Sequence, residues 1–104
     1  MLGDAPVRAD HDDRPGWSRL VLTGRVTVAV AREFHATASD LLARGNSIAV
    51  RCDGAEHLDT SAIQILLCLA RELVSRGKRF DLGGVSPELG AGLQLAGLAN
   101  AAGS

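Results

Sequence analysis

The chain is poor in aromatic residues: one tryptophan and two phenylalanines make up 3% of its 104 residues. So thin a supply argues against an aromatic stacking platform and assigns Trp17, Phe34 and Phe80 to anchoring a core. Cysteine is nearly as scarce. Cys52 and Cys68 stand far apart, without the close pairing of a redox or zinc-knuckle motif, and read as structural thiols. Neither sign of charge dominates, since 11 basic against 12 acidic side chains leave a formal net charge of −1. That balance offers no electrostatic footprint for nucleic acid or an anionic membrane. The longest apolar runs, around Leu20-Val21-Leu22 and from Ile63 to Ala70, are too short or too interrupted to cross a bilayer. Residues 1–16 lack the continuous apolar segment of a signal peptide, so the expectation is a cytosolic protein without direct membrane insertion. Metal-ligand spacing is missing too: His11, His35 and His57 read as solvated or packing side chains. No lysine-bearing phosphate loop is present, and Gly83-Gly84 reads as a turn between a strand and a helix.

What remains is an ordinary globular composition, 46% apolar and 22% charged, in a length that suits one domain. Residues 1–16 mix Asp4, Asp10, Asp12, Asp13, Arg8 and Arg14 with two prolines and follow neither structural period, which predicts a flexible lead-in. From Trp17 the character changes. Residues 19–23 are β-rich and closed by Gly24, which predicts a strand and a turn. Val30, Phe34, Ala38, Leu41 and Leu42 then recur at helical spacing between Val28 and Arg44, with Gly45-Asn46 as the stop. Residues 48–52 form a compact strand, and the polar residues 53–57 its loop. A second helix runs from about Thr60 to Arg76, a short strand covers 79–82, and Ser86-Pro87 opens a third helix ending near Gly97. Residues 99–104 read as a tail. Strands alternating with helices predict an α/β layer, because each helix needs a sheet on which to bury its apolar stripe.

The second helix carries the functional signal. At about 100° per residue, Ile63, Leu66, Leu67, Ala70, Leu73 and Val74 share a core-facing side, and Ser61, Gln64, Cys68, Arg71, Glu72 and Ser75 the opposite one. Ile65 and Leu69 fall at the edge of the polar stripe. They are either the dry centre of a contact patch or contacts to a neighbouring loop or helix. Ser61-Ala62-Ile63-Gln64 fits a capping box, while Asp59 and Thr60 offer competing caps. The first turn thus holds more hydroxyl and carboxylate groups than capping needs. A phosphate on a first-turn hydroxyl would be favoured by exposed N–H groups and the helix dipole, and would add about −2 of charge beside Asp59. A hydrolytic centre of Ser61, His57 and Asp59 would need a separate base and an oxyanion hole, which their close spacing does not supply.

These residues resemble the STAS domains, named for sulfate transporters and bacterial anti-sigma-factor antagonists. The similarity spans residues 17–98. Residues 22–27 look like the family's strand-and-glycine element, and Leu58-Asp59-Thr60-Ser61-Ala62 looks like its "Asp-Ser/Thr-Ser/Ala-Gly" signature, with Ala62 where glycine is common. Leu66-Leu67, residues 77–79, residues 82–86 and Leu95-Ala96-Gly97-Leu98 follow in the family's order. The resemblance implies a small mixed β-sheet covered by α-helices, and a bacterial, non-enzymatic regulator without a cofactor. Its implied partner is a histidine-kinase-like serine kinase acting as an anti-sigma factor. Ser61 matches the phosphoacceptor of such antagonists, and Thr60 a hydroxyl that matters in small subunits of the ATPase of a lipid-trafficking ABC transporter. The alternative function is therefore a constitutive subunit of such an ATPase or of a chemotaxis or stress-signalling assembly. Asp59, Thr60, Ser61, Gln64, Ile65, Cys68 and Leu69 make up the expected partner-binding surface.

Overall fold

The structure, a computed structural model, describes residues 6–87. Four strands, β1 (Val7–His11), β2 (Trp17–Val26), β3 (Ser47–Leu58) and β4 (Phe80–Gly83), form one sheet in the order β1-β2-β3-β4. β1 runs antiparallel to β2, and β2, β3 and β4 run parallel. Parallel neighbours need long crossovers, and helices α1 (Ala31–Ala43) and α2 (Thr60–Ser75) supply them. The result is the α/β layer that the alternation of strands and helices predicts, with the small mixed sheet that the family resemblance implies. From residue 88 onward, the expected third helix, the Leu95–Leu98 element and the tail lie outside the described residues.

β2 shows why the layer holds. Its burial alternates, with Ser18, Leu20 and Leu22 buried and Arg19, Val21 and Thr23 half-buried. The buried set meets Phe34, Ala38 and Leu41, which recur at helical spacing along α1. β3 lies between two strands, and residues 47–50 are all buried. Its inward residues Ile48, Val50 and Cys52 pack beneath Leu66, Ala70 and Leu73 of α2. Two serines enter the core with their hydroxyls satisfied: Ser47 Oγ accepts from the Arg79 amide at 3.0 Å, and Ser18 Oγ from Asn46 Nδ2 at 3.3 Å.

Five expectations change. Within the expected lead-in, residues 7–11 are a strand. Val7, 3% exposed, sits opposite Leu22, while Arg8, Ala9, Asp10 and His11 are exposed. An edge strand with a single buried side chain has no hydrophobic period to read. It is set instead by the backbone ladder and by the turn in which Asp12 accepts from the Arg14 amide. Residues 53–57, expected as a loop, continue β3. The ladder to β2 shifts register twice, between Val21 and Thr23 and between Gly24 and Arg25, each time absorbing one extra residue of β3. Gly24 adopts φ 64° there, a conformation that side chains rarely tolerate.

α1 begins at Ala31 rather than Val28, because Val28–Val30 form one 3-10 turn capped by the Thr27 hydroxyl. Trp17 is half-buried under the Arg14 guanidinium, 3.8 Å from its ring centroid, so only the phenylalanines are core anchors. The buried stripe of α2 is also rotated from the wheel. Ala62, Leu66, Leu69, Ala70 and Leu73 are buried, while Val74 is 62% exposed. The helix is apolar around more than half its circumference, and packing against α1 as well as the sheet selects which part is covered.

Candidate functional site

β3 delivers the chain to α2 through Leu58, which is buried and paired with Val26 of β2. That anchor fixes Asp59, whose amide donates to the Val26 carbonyl at 3.1 Å and whose carbonyl accepts from the Ile63 amide at 3.0 Å. Asp59 is therefore the N-cap, and its Oδ1 accepts from the Ala62 amide at 3.2 Å. The expected Ser61–Gln64 capping box does not form at this helix end: Ser61 is the second helical residue, and its hydroxyl donates to Asp59 Oδ1 at 2.6 Å. Asp59 Oδ2 reaches across to the 3-10 turn that follows β2 and accepts from the Val28 amide at 2.7 Å.

The carboxylate is thus surrounded by donors. The Ser61 hydroxyl foremost, then the Ala62 and Val28 amides, hold Asp59 below the usual carboxylate range against the opposing cost of desolvation. A carboxylate so placed orients the serine hydroxyl and is a poor base for ionising it. Ser61 is half-buried and Thr60, at the first helical position, is exposed. The site therefore presents two hydroxyls at the positive end of a helix dipole, one held by a carboxylate and one free of the core.

The other expected surface residues divide into two groups. Gln64 is exposed one turn along. Ile65, Cys68 and Leu69 face α1 and, with His35, Ala38 and Leu42, line a groove of about 340 Å³ between the helices. Cys68 is exposed there and Ile65 half-buried, but Leu69 is 2% exposed and belongs to the core, correcting its expected place on the outer stripe. Of the two readings open for Leu69, contact with the neighbouring helix is the one observed. Cys52 is buried, and desolvation first, then the Asp53 charge, pushes its thiol up to about 11. His57 is half-buried on β3 opposite Arg25, and the Ser61 hydroxyl is directed to Asp59 rather than to an imidazole.

Val28 is the residue that sequence reasoning missed. It is 73% exposed, yet its amide is tied to Asp59, which puts a large apolar side chain at the edge of the site. The available signal was its failure to fall on the Val30, Phe34, Ala38, Leu41 stripe.

A family model described as "Mlab, STAS domain" matches residues 10–101. Sequence comparison with curated proteins finds no match. Among solved structures, the phosphorylated form of the Bacillus cell fate determinant SpoIIAA is similar, with a TM-score of 0.74 and 20% identity over 90% of this chain and 86% of that one. A putative anti-sigma factor antagonist from Thermotoga maritima gives a TM-score of 0.81 and 18% identity, over 92% and 82% of the two chains. An anti-sigma factor antagonist from Mycobacterium paratuberculosis gives 0.79 and 16%, over 92% and 82%. At these identities the solved structures establish a shared fold.

Proposed function

From the premise that this chain belongs to the STAS domain family, we propose that it is a regulatory module that binds a protein partner around the N-terminus of α2 and is controlled by phosphorylation of Ser61. The observation that carries this reading is the Ser61 hydroxyl itself, half-exposed on the first helical turn and oriented by Asp59. A phosphate there gains backbone N–H donors and the helix dipole, and it places about −2 of charge in the middle of the surface. That alters partner binding without requiring the core to move. The names of the similar structures support the same direction, since two are anti-sigma factor antagonists and one was solved in a phosphorylated form. The partner class is accordingly a histidine-kinase-like serine kinase acting as an anti-sigma factor. An oriented serine beside a weakly basic carboxylate, with its hydroxyl hydrogen not shared with a histidine, also favours binding over hydrolysis.

Incubation with a serine kinase of that class and ATP, followed by intact-mass measurement, tests the proposal. The wild type should gain one phosphate and Ser61→Ala none. Retention of the phosphate in Ser61→Ala and its loss in Thr60→Ala would move the acceptor to Thr60, and an unmodified wild type would refute phosphorylation control by that kinase.

A second reading is favoured by the exposure of Thr60 and by the family description Mlab: a constitutive small subunit of a lipid-trafficking ABC transporter ATPase. Co-purification discriminates. A stoichiometric complex indifferent to Ser61→Asp but broken by Thr60 substitution supports the subunit; sensitivity to Ser61→Asp supports the switch.

A further inference from the structure

Asp59 joins two pieces of the surface that are distant in sequence. One carboxylate oxygen accepts the Ser61 hydroxyl and the Ala62 amide of α2, and the other accepts the Val28 amide. Val28 heads a single 3-10 turn whose own hydrogen bonds are Val30 N–H to the Thr27 carbonyl at 3.0 Å, Ala31 N–H to the Val28 carbonyl and Ala29 N–H to the Thr27 hydroxyl at 3.3 Å. A turn that short has no cooperative stability of its own, so the Asp59 bond fixes how the exposed Val28 side chain is presented.

We propose that Asp59 is a relay through which phosphorylation of Ser61 releases the Val28–Val30 turn, so that an apolar contact of the partner surface is lost together with the gain of charge. This rests on the reading of Ser61 as the phosphoacceptor. In the transfer, Ser61 Oγ bonds to the γ-phosphorus of a nucleoside triphosphate as that phosphorus parts from the β-phosphate oxygen. The nucleoside diphosphate leaves with the bonding electron pair, and the hydroxyl proton passes to a base of the kinase. Oγ then has no hydrogen to donate, and the carboxylate loses its 2.6 Å partner. The phosphate oxygens also compete for the Ala62 amide and repel the carboxylate. The backbone of Asp59 is pinned on both sides by Val26 and Ile63, so rotation of its side chain is the motion left to it. Because both carboxylate oxygens belong to one rigid group, turning the first away from Ser61 carries the second away from Val28.

The test is amide hydrogen exchange by NMR on the full chain with phosphoserine installed at position 61 during synthesis, which needs no kinase. Val28 N–H should exchange at least tenfold faster in the phosphoserine protein than in wild type, with Val50 N–H of the core unchanged. Ser61→Ala should keep Val28 protected, because Asp59 retains both amides, and Asp59→Ala should expose it without any phosphate. Equal Val28 protection in the wild-type and phosphoserine proteins overturns the relay, as does a protected Val28 amide in a folded Asp59→Ala. Should Asp59→Ala fail to fold, the phosphoserine arm decides alone. A kinase that leaves Ser61 unmodified refutes phosphorylation control by that kinase and leaves this measurement standing.

Discussion

Leu69 offers the sharpest check on how α2 is seated. A helical wheel puts it at the edge of the outward stripe, whereas the structure buries it against α1 at 2% exposure. Leu69→Ala removes about three methylene equivalents at about 0.8 kcal/mol each, giving about 2.4 kcal/mol of lost transfer free energy. The additional cavity term should be small, because the site adjoins the 340 Å³ groove and solvent can fill the space. Leu66→Ala is the comparison. That side chain is fully buried and packs in the sheet-facing core, so unrelieved cavity formation should raise its cost to about 3–4 kcal/mol. Urea unfolding followed by far-UV circular dichroism measures both. With an m-value of about 1–3 kcal/mol/M, Leu69→Ala should lower the midpoint by about 1–2 M and Leu66→Ala by more, at unchanged slope. A Leu69→Ala cost below about 1 kcal/mol would refute the packing described here and return Leu69 to the partner face.

Two further outcomes are expected. In the native protein a chromogenic disulfide reagent should titrate Cys68 quickly at pH 8 and Cys52 only after denaturation, since Cys68 is exposed and burial raises the Cys52 thiol to about 11; two fast thiols would contradict this core. Asp12 is held at about 2 against an ordinary 3.8, chiefly by the Arg14 side chain and then the Arg14 amide. The folded state therefore binds this proton more weakly than the unfolded chain. Its stabilisation is complete above about pH 4 and is lost as pH falls through about 2. Asp12→Asn should flatten that acid limb in urea midpoints taken from pH 5 to 2, and identical slopes in both proteins would count against the Asp12 contacts.

The elements that were legible are those whose periodicity reports their burial. α1 follows from Phe34, Ala38 and Leu41, the core of β3 from Ile48 and Val50, and α2 from a leucine-rich run bounded by Asp59 and Gly77. What stayed hidden depends on partners remote in the chain. β1 exists because Val7 and the backbone of β2 hold it, and residues 53–57 extend β3 because β2 lies alongside. At the site, Asp59, Thr60 and Ser61 were all visible as candidate caps. Which one caps is settled by Val26 and Val28, some thirty residues earlier, and these place Asp59 so that it answers to both elements.

The paired register shifts in β3 carry one more consequence. A single added residue would reverse which side of a sheet every later side chain occupies, unless a bulge takes it up and lets the pairing resume with faces matched. Five steps from Val21 to Val26 are matched by seven from Arg51 to Leu58, so both strands end with an inward side chain and Asp59 emerges at the right place. Loss of one residue between positions 53 and 57 with both shifts kept would turn Leu58 outward and aim the Asp59 carboxylate elsewhere, whereas loss of one residue together with one shift would keep Leu58 opposite Val26. Length variation in this stretch should accordingly be tolerated where a register shift comes or goes with each residue, a constraint that comes from geometry rather than from the identity of any residue there.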